Sequence, residues 1–242
     1  MAYKNLRIDQ TPQESARACA SFALEKLREA LAERPTTTFA ISGGTTPKLL
    51  FAEFARADFD WSKVHLFWVD ERCVPPSDSQ SNYRLANETW LRPAQVPAAN
   101  VHRIRGELTP DEAALAYISE IERTFLLKPG ELPRFDLIHR GMGADAHTAS
   151  LFPGEPLIQN ETGIAAAVWV EKLKSHRVTL LPGVLKNARC TIVQLAGADK
   201  AEPLANVLNG PEDPMRFPCQ IATRGSDQAY WFLDAEAARN VQ

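Results

Sequence analysis

The run Val64-His65-Leu66-Phe67-Trp68-Val69 is apolar at almost every position and stops abruptly at Asp70-Glu71-Arg72. A strand with one wet face alternates apolar with polar residues. A nearly continuous apolar run of this length belongs instead to a strand covered on both faces, which is how parallel sheets are buried. Other short β-prone runs follow the same logic: Thr36 to Ser42, Val101 to Ile104, the apolar stretch opening at Phe135, Ile164 to Val170, Val178 to Leu181, Thr191 to Leu195 and Tyr230 to Leu233.

Helical segments stand between these runs. From Thr11 to Arg34, Ala16, Ala20, Ala23, Leu24, Leu27 and Leu31 recur at helical spacing, and Thr11-Pro12 supplies a hydroxyl cap followed by proline at the first helical position. Thr109-Pro110-Asp111-Glu112 repeats that signature before a helix over Ala113 to Leu127. Lys48 to Phe54, the stretch after Asn82-Tyr83-Arg84, Pro182 to Asn187 and Ala198 to Leu208 complete the set. Strand and helix in alternation predict an α/β chain with a mostly parallel sheet and helices on both faces. At 242 residues and 45% hydrophobic content, with no repeat and no linker, residues 1–242 read as a single domain.

Composition removes several function classes. A formal net charge of -3 and a pI near 6.0 give no basic field for a nucleic-acid backbone, although one cluster of arginines and amides suffices for a small anion. Cys19, Cys73, Cys190 and Cys219 lack the paired short spacing of a zinc site, so no metal is expected and the thiols read as buried and reduced. The stretch Met1 to Gln10 has no signal-peptide core, and no apolar run is long enough to span a bilayer. These features predict a soluble cytoplasmic protein.

Three loops carry the chemistry. Ser42-Gly43-Gly44-Thr45-Thr46-Pro47 joins a strand to a helix, with proline at the start of the helix and free amides backed by its positive dipole end. Such a junction suits a phosphate or carboxylate, though by itself it reads more readily as a tight turn with a good cap. It lacks the Gly-Lys-Ser/Thr ending of a nucleotide loop and the third glycine of a dinucleotide fingerprint. Asp70-Glu71-Arg72 reads as a charged turn at the same sheet edge, able to offer an acid to a base and an arginine to an anion. His65, inside its strand, reads as a packed core histidine, and His102 has no partner nearby in sequence. The third loop, Gly141-Met142-Gly143-Ala144-Asp145-Ala146-His147-Thr148-Ala149-Ser150-Leu151-Phe152-Pro153, follows a strand and brings together two glycines, an acid, a histidine and two hydroxyls.

In this order the three loops resemble those of the 6-phosphogluconolactonases. The resemblance continues through Ser81-Asn82-Tyr83, Arg177-Val178-Thr179-Leu180 and Gly197-Ala198-Asp199-Lys200-Ala201-Glu202, covering about the whole chain. Its most specific part is His147-Thr148-Ala149-Ser150-Leu151-Phe152-Pro153. Glucosamine-6-phosphate deaminases share the layout, but the Asn-Glu-Pro tail that follows their histidine is absent here.

The resemblance implies hydrolysis of 6-phospho-D-glucono-1,5-lactone on a Rossmann-like sheet, with no cofactor and a small sugar-phosphate lactone as the only partner. A monomer or weak homo-oligomer is expected. His147 is the implied base, with Asp145 and Asp70 both eligible to orient it. Gly43, Gly44, Thr45 and Thr46 are the implied phosphate loop, joined by Arg72, Arg177 and Lys200 at the family's basic positions, Lys200 fitting a solvated surface lysine equally well. Gly141 and Gly143 are expected to let the backbone approach the sugar, and Thr148 to supply a hydroxyl or cap a following helix. Three places depart from the usual pattern. Ala146 stands for a glycine, which penalises positive φ; Leu181 stands for a threonine; and His139-Arg140 replaces two apolar residues. Arg140, at the end of a buried strand, is expected to line the cleft or to pair with a surface acid.

Overall fold

A computed structural model describes residues 5–241; Met1 to Lys4, part of the stretch read as lacking a signal peptide, and Gln242 lie outside them. The strands are β1 (Leu6–Asp9), β2 (Thr37–Ile41), β3 (Val64–Trp68), β4 (Asp70–Arg72), β5 (Val101–His102), β6 (Leu137–Arg140), β7 (Ala165–Val170), β8 (Ser175–Leu180), β9 (Thr191–Leu195) and β10 (Ala229–Asp234). The helices are α1 (Pro12–Glu33), α2 (Thr45–Phe54), α3 (Asn82–Ala86), α4 (Pro110–Phe125), α5 (Pro182–Asn187), α6 (Ala201–Asn209) and α7 (Ala235–Ala238). Seven strands form one sheet in the order β1-β10-β9-β6-β2-β3-β5, and every pairing in it is parallel. The α/β reading, with its Rossmann-like sheet, is the architecture found.

Alternate residues of the same strands show why both faces are covered. Ile192 of β9 and Phe232 of β10 belong to the core that contains Ala23 and Leu27 of α1 and Phe51 of α2. Val193, Leu195, Trp231 and Leu233 point the other way, into a second cluster with Leu204 and Val207 of α6 and Ala237 of α7. With side chains alternating across each strand, a sheet so placed must be apolar on both sides. The cap signature at Thr11 is present as reciprocal bonds with Glu14, and at Thr109 both the N–H and the hydroxyl donate to the Glu112 carboxylate.

Three elements differ from the sequence reading. Asp70–Arg72 is a strand rather than a turn; it pairs antiparallel with β8, which pairs antiparallel with β7, so a second, three-stranded sheet stands beside the first. Leu6–Asp9 is an edge strand, held parallel to β10. Thr148 has no helix to cap, because the chain there closes a tight bridge between Thr148 and Leu151. Among the described residues, no helix is long and apolar enough to cross a membrane and no His/Cys/Asp/Glu group could hold a metal ion.

The two outlying histidines are linked. His65 Nδ1 lies 2.9 Å from His102 Nε2, and His102 Nδ1 lies 2.6 Å from Glu120 Oε1, so His102 has partners 37 and 18 residues away that no local pattern reveals. Burial, with His102 adding to it, pulls His65 below the ordinary imidazole range. Arg140 corrects a further expectation: it is fully buried, donates to the Ile221 carbonyl, and lies outside the residues that line the cleft.

Candidate active site

The cleft opens where the order of the sheet reverses. β2 and β6 are neighbours, yet the chain continues from β2 to β3 on one side, while β9 lies on the other side of β6. Loops leaving the carboxyl ends of β2 and β6 therefore diverge, which leaves a crevice of the kind in which open α/β sheets bind ligands. Its volume is about 250 Å³. Gly43, Gly44, Thr45, Thr46, Asp70, Arg72, Gly141, Gly143, His147, Arg177 and Lys200 all line it, drawn from five separate stretches of sequence. Asp145 does not line it but touches His147 from outside; Thr148 is buried and donates its hydroxyl to the Gly141 carbonyl at 2.9 Å.

His147 Nδ1 lies 2.5 Å from Asp145 Oδ1, and the ring stacks on Phe152 with centroids 4.1 Å apart. The carboxylate fixes the proton on Nδ1 and leaves Nε2 as the unshared basic nitrogen. Burial pushes the Asp145 carboxyl up, but the hydrogen bond and charge of His147, helped by Lys172, outweigh it and hold the group well below the usual carboxylate range. Asp70, the other eligible acid, is engaged elsewhere: Ser150 Oγ donates to its Oδ2 at 2.6 Å, and Arg177 Nη1 lies 3.7 Å from that same oxygen.

Gly143 is constrained by the histidine. A Cβ on Gly143 would sit 2.0 Å from His147 Nδ1 and 2.1 Å from its Cε1, inside the imidazole itself. Gly43 is constrained in the same way, since its Cβ would meet the Asn82 side chain at 2.0 Å. Asn82 in turn donates to the Asp70 carbonyl at 2.9 Å, tying the first loop to the second.

The cleft also gathers donors that can receive an anion. α2 begins at Gly44 without a side-chain cap, in contrast to α1, so its first amides keep their donors for whatever occupies the cleft. Arg72 and Arg177 are register partners across β4 and β8. Burial pulls the Arg177 guanidinium below its ordinary value, Asp70 opposes that, and Arg72 adds to it. Ser42 Oγ, Arg72 Nε and Arg177 Nε are buried with no hydrogen-bond partner among the described residues. Arg72 already donates through Nη1 to the Gln80 carbonyl and Arg177 lies beside Asp70, so the two Nε donors are what an entering anion can take.

Sequence reasoning assigned no role to Glu71, Asn82 or Ser150. Glu71 is buried; its carboxylate accepts from the backbone of Arg72, Asn82 and Tyr83 and from Ser81 Oγ, so it anchors the start of α3 against β4. Burial pushes its carboxyl up against the pull of those bonds. The string Ser81-Asn82-Tyr83 was the available signal, but a run of polar residues after a loop does not say which acid it meets.

Ala146 adopts the left-handed conformation its methyl disfavours, with φ at 64°. The turn holds it there: its N–H donates to Gly143 O at 3.0 Å and its carbonyl accepts from Cys219 N at 2.9 Å. Ala146→Gly would relieve a strain of about 1 kcal/mol. It would also lose a buried methyl worth about 0.8 kcal/mol and free the unfolded chain. The terms offset, so the expected change in urea-unfolding stability is below about 1 kcal/mol.

Comparisons with known proteins converge on one group. Residues 10–231 match the model of the family described as glucosamine-6-phosphate isomerases/6-phosphogluconolactonase. The 6-phosphogluconolactonase of Synechocystis sp. is 34% identical over 218 residues, covering 90% of each chain. That of Treponema pallidum is 37% identical over 201 residues, covering 82% of this chain and 83% of its own. The crystal structure of 6-phosphogluconolactonase from Thermotoga maritima superposes with a TM-score of 0.82 at 26% identity, over 95% of this chain and 99% of that one.

Proposed function

The chain belongs to the glucosamine-6-phosphate isomerase/6-phosphogluconolactonase family, and from that premise we propose that it hydrolyses 6-phospho-D-glucono-1,5-lactone to 6-phospho-D-gluconate, as a 6-phosphogluconolactonase of the pentose phosphate pathway. The observation that carries the reading is His147, held from outside by Asp145, lining a cleft that also offers uncapped helix amides and two arginines.

A lactone is an activated ester, so water can attack it without a covalent enzyme intermediate. His147 Nε2 takes a proton from water as the oxygen adds to the lactone carbonyl, and Asp145 steadies the imidazolium that forms. The tetrahedral oxyanion collapses, the bond from C1 to the ring oxygen breaks, and the imidazolium returns its proton to that departing oxygen. The new carboxylic acid then ionises, so each turnover releases one proton to solvent. The phosphate is assigned to the Gly43–Thr46 loop with Arg72, Arg177 and Lys200. Lys200 pairs with Asp199 at 2.8 Å yet lines the cleft, so it adds positive charge there without being an isolated cation.

Arg177→Lys keeps the charge but loses the two-pronged grip on phosphate oxygens. Its expected result is a KM higher by roughly tenfold with kcat changed much less. Steady-state kinetics that showed the reverse would remove Arg177 from the binding of substrate.

Reaction products separate this reading from a deaminase on the same sheet. The protein is expected to release a proton and 6-phosphogluconate from the lactone, and no ammonia from glucosamine 6-phosphate. Ammonia without lactone turnover would reject the proposal.

A further inference from the structure

We propose that Lys172, at the tip of the β7–β8 hairpin, is a positioning residue for the His147 base and acts on it through Asp145. The inference rests on the lactonase reading of the cleft. The two strands pair from Ala165↔Leu180 to Val170↔Ser175, and a single helical turn over Glu171–Leu173, closed by Lys174 at a φ of 47°, joins them. That turn carries Lys172 Nζ to 2.9 Å from Asp145 Oδ2, while Asp145 Oδ1 holds His147 Nδ1 at 2.5 Å. Ammonium, carboxylate and imidazole thus form a line, each carboxylate oxygen serving one neighbour. The same hairpin places Arg177 in the cleft, so one supersecondary unit supplies both the anion-binding arginine and the outer partner of the base.

Two consequences follow from the line. The ammonium fixes the rotamer of Asp145, and it takes a share of the carboxylate charge that would otherwise stabilise an imidazolium. Lys172 is 67% exposed, so its influence is electrostatic and sensitive to salt, and its replacement leaves no hole in the core. The other charges facing the pair are few. Arg177 lies over the Phe152 ring, 5.9 Å from the centroid, and His147 stacks on that same ring. Glu155 and Glu171 line the groove that Asp145 and Lys172 share, and Glu171 is occupied by Lys174 and by Trp169 Nε1. Asp70, Arg72 and Lys200 face His147 across the cleft.

The test is the pH profile of kcat/KM for 6-phosphogluconolactone with wild type, Lys172→Met and Lys172→Arg, at low and high salt. Removing the cation strengthens the hold of Asp145 on an imidazolium, so the acid limb of Lys172→Met is expected to move up by about half a pH unit. Below that limb the variant is then slower by about threefold, and above it the rates converge. Lys172→Arg is expected to keep the wild-type limb, and high salt to move the wild type toward Lys172→Met. An NMR titration of the His147 imidazole is expected to show the same displacement without turnover. Coincident limbs and coincident titrations in an active enzyme would overturn the role of Lys172 and leave the lactonase reading standing. A wild type no faster than buffer would overturn both.

Discussion

Replacing His147 with alanine is expected to lower kcat/KM by about 10²–10⁴-fold, the usual share of a positioned general base. No other group can take over its task. Asp145, the carboxyl in contact with the ring, does not itself line the cleft and keeps Lys172 as its partner when the ring is removed. Asp70 is committed to Ser150 and Arg177. His139, the next histidine in sequence, is fully buried against Gln194, and burial pushes it down to about 4. Binding should survive the substitution, because the amides at the start of α2 and the two arginines are untouched. A kcat loss at nearly constant KM in steady-state assays checks this, and a large rise in KM with kcat retained would move His147 from chemistry to binding.

Gly143→Ala is expected to approach that effect without removing any functional group. The added Cβ would occupy space 2.0 Å from His147 Nδ1, and a ring held between Phe152 and Asp145 has nowhere to go without losing one of them. Displacement of a base by about 1 Å costs on the order of a hundredfold in rate. The same substitution at Gly141 is the control: its Cβ would find its nearest neighbour, the Gln194 carbonyl, at 3.8 Å, an ordinary contact. Measured side by side, Gly143→Ala should lose most of kcat while Gly141→Ala stays within a few-fold of wild type. Equal losses would mean that the two glycines serve the backbone of the loop rather than the imidazole.

Local signals carried the parallel sheet. β3 was legible because its unbroken apolar run admits burial on both faces and little else, and α1 and α4 because Thr-Pro caps precede a 3.6-residue period. β4 was not legible: Asp70-Glu71-Arg72 has no strand propensity, and it becomes a strand only because β8, over a hundred residues later, pairs with it. β1 escaped for a related reason, as a short edge strand whose Arg7 and Ile8 face solvent.

The candidate site divides along the same line. The glycine loop, the acidic-basic segment and His147 could be listed from sequence because each carries its chemistry within a few residues. The commitment of Asp70 to Ser150 and Arg177, which leaves Asp145 two residues upstream as the partner of His147, the hold of Glu71 on α3, and the reach of Lys172 across 27 residues all depend on pairings that no local pattern shows. Arg140 shows the limit from the other side. A charge at a strand end reads as cleft or surface, yet this one is buried and bonded to the Ile221 carbonyl.

A pH-stat assay on freshly prepared 6-phosphogluconolactone, run beside its unphosphorylated counterpart and a buffer blank, tests the central claim most directly. Both lactones hydrolyse spontaneously, so the quantity that matters is the enzymatic rate above each blank. A cleft that aims water from His147 at a lactone anchored by its phosphate predicts rapid proton release with the phosphorylated substrate, and a kcat/KM for it far above that for the bare lactone. Proton release no faster than buffer, or equal rates with and without the phosphate, would contradict it.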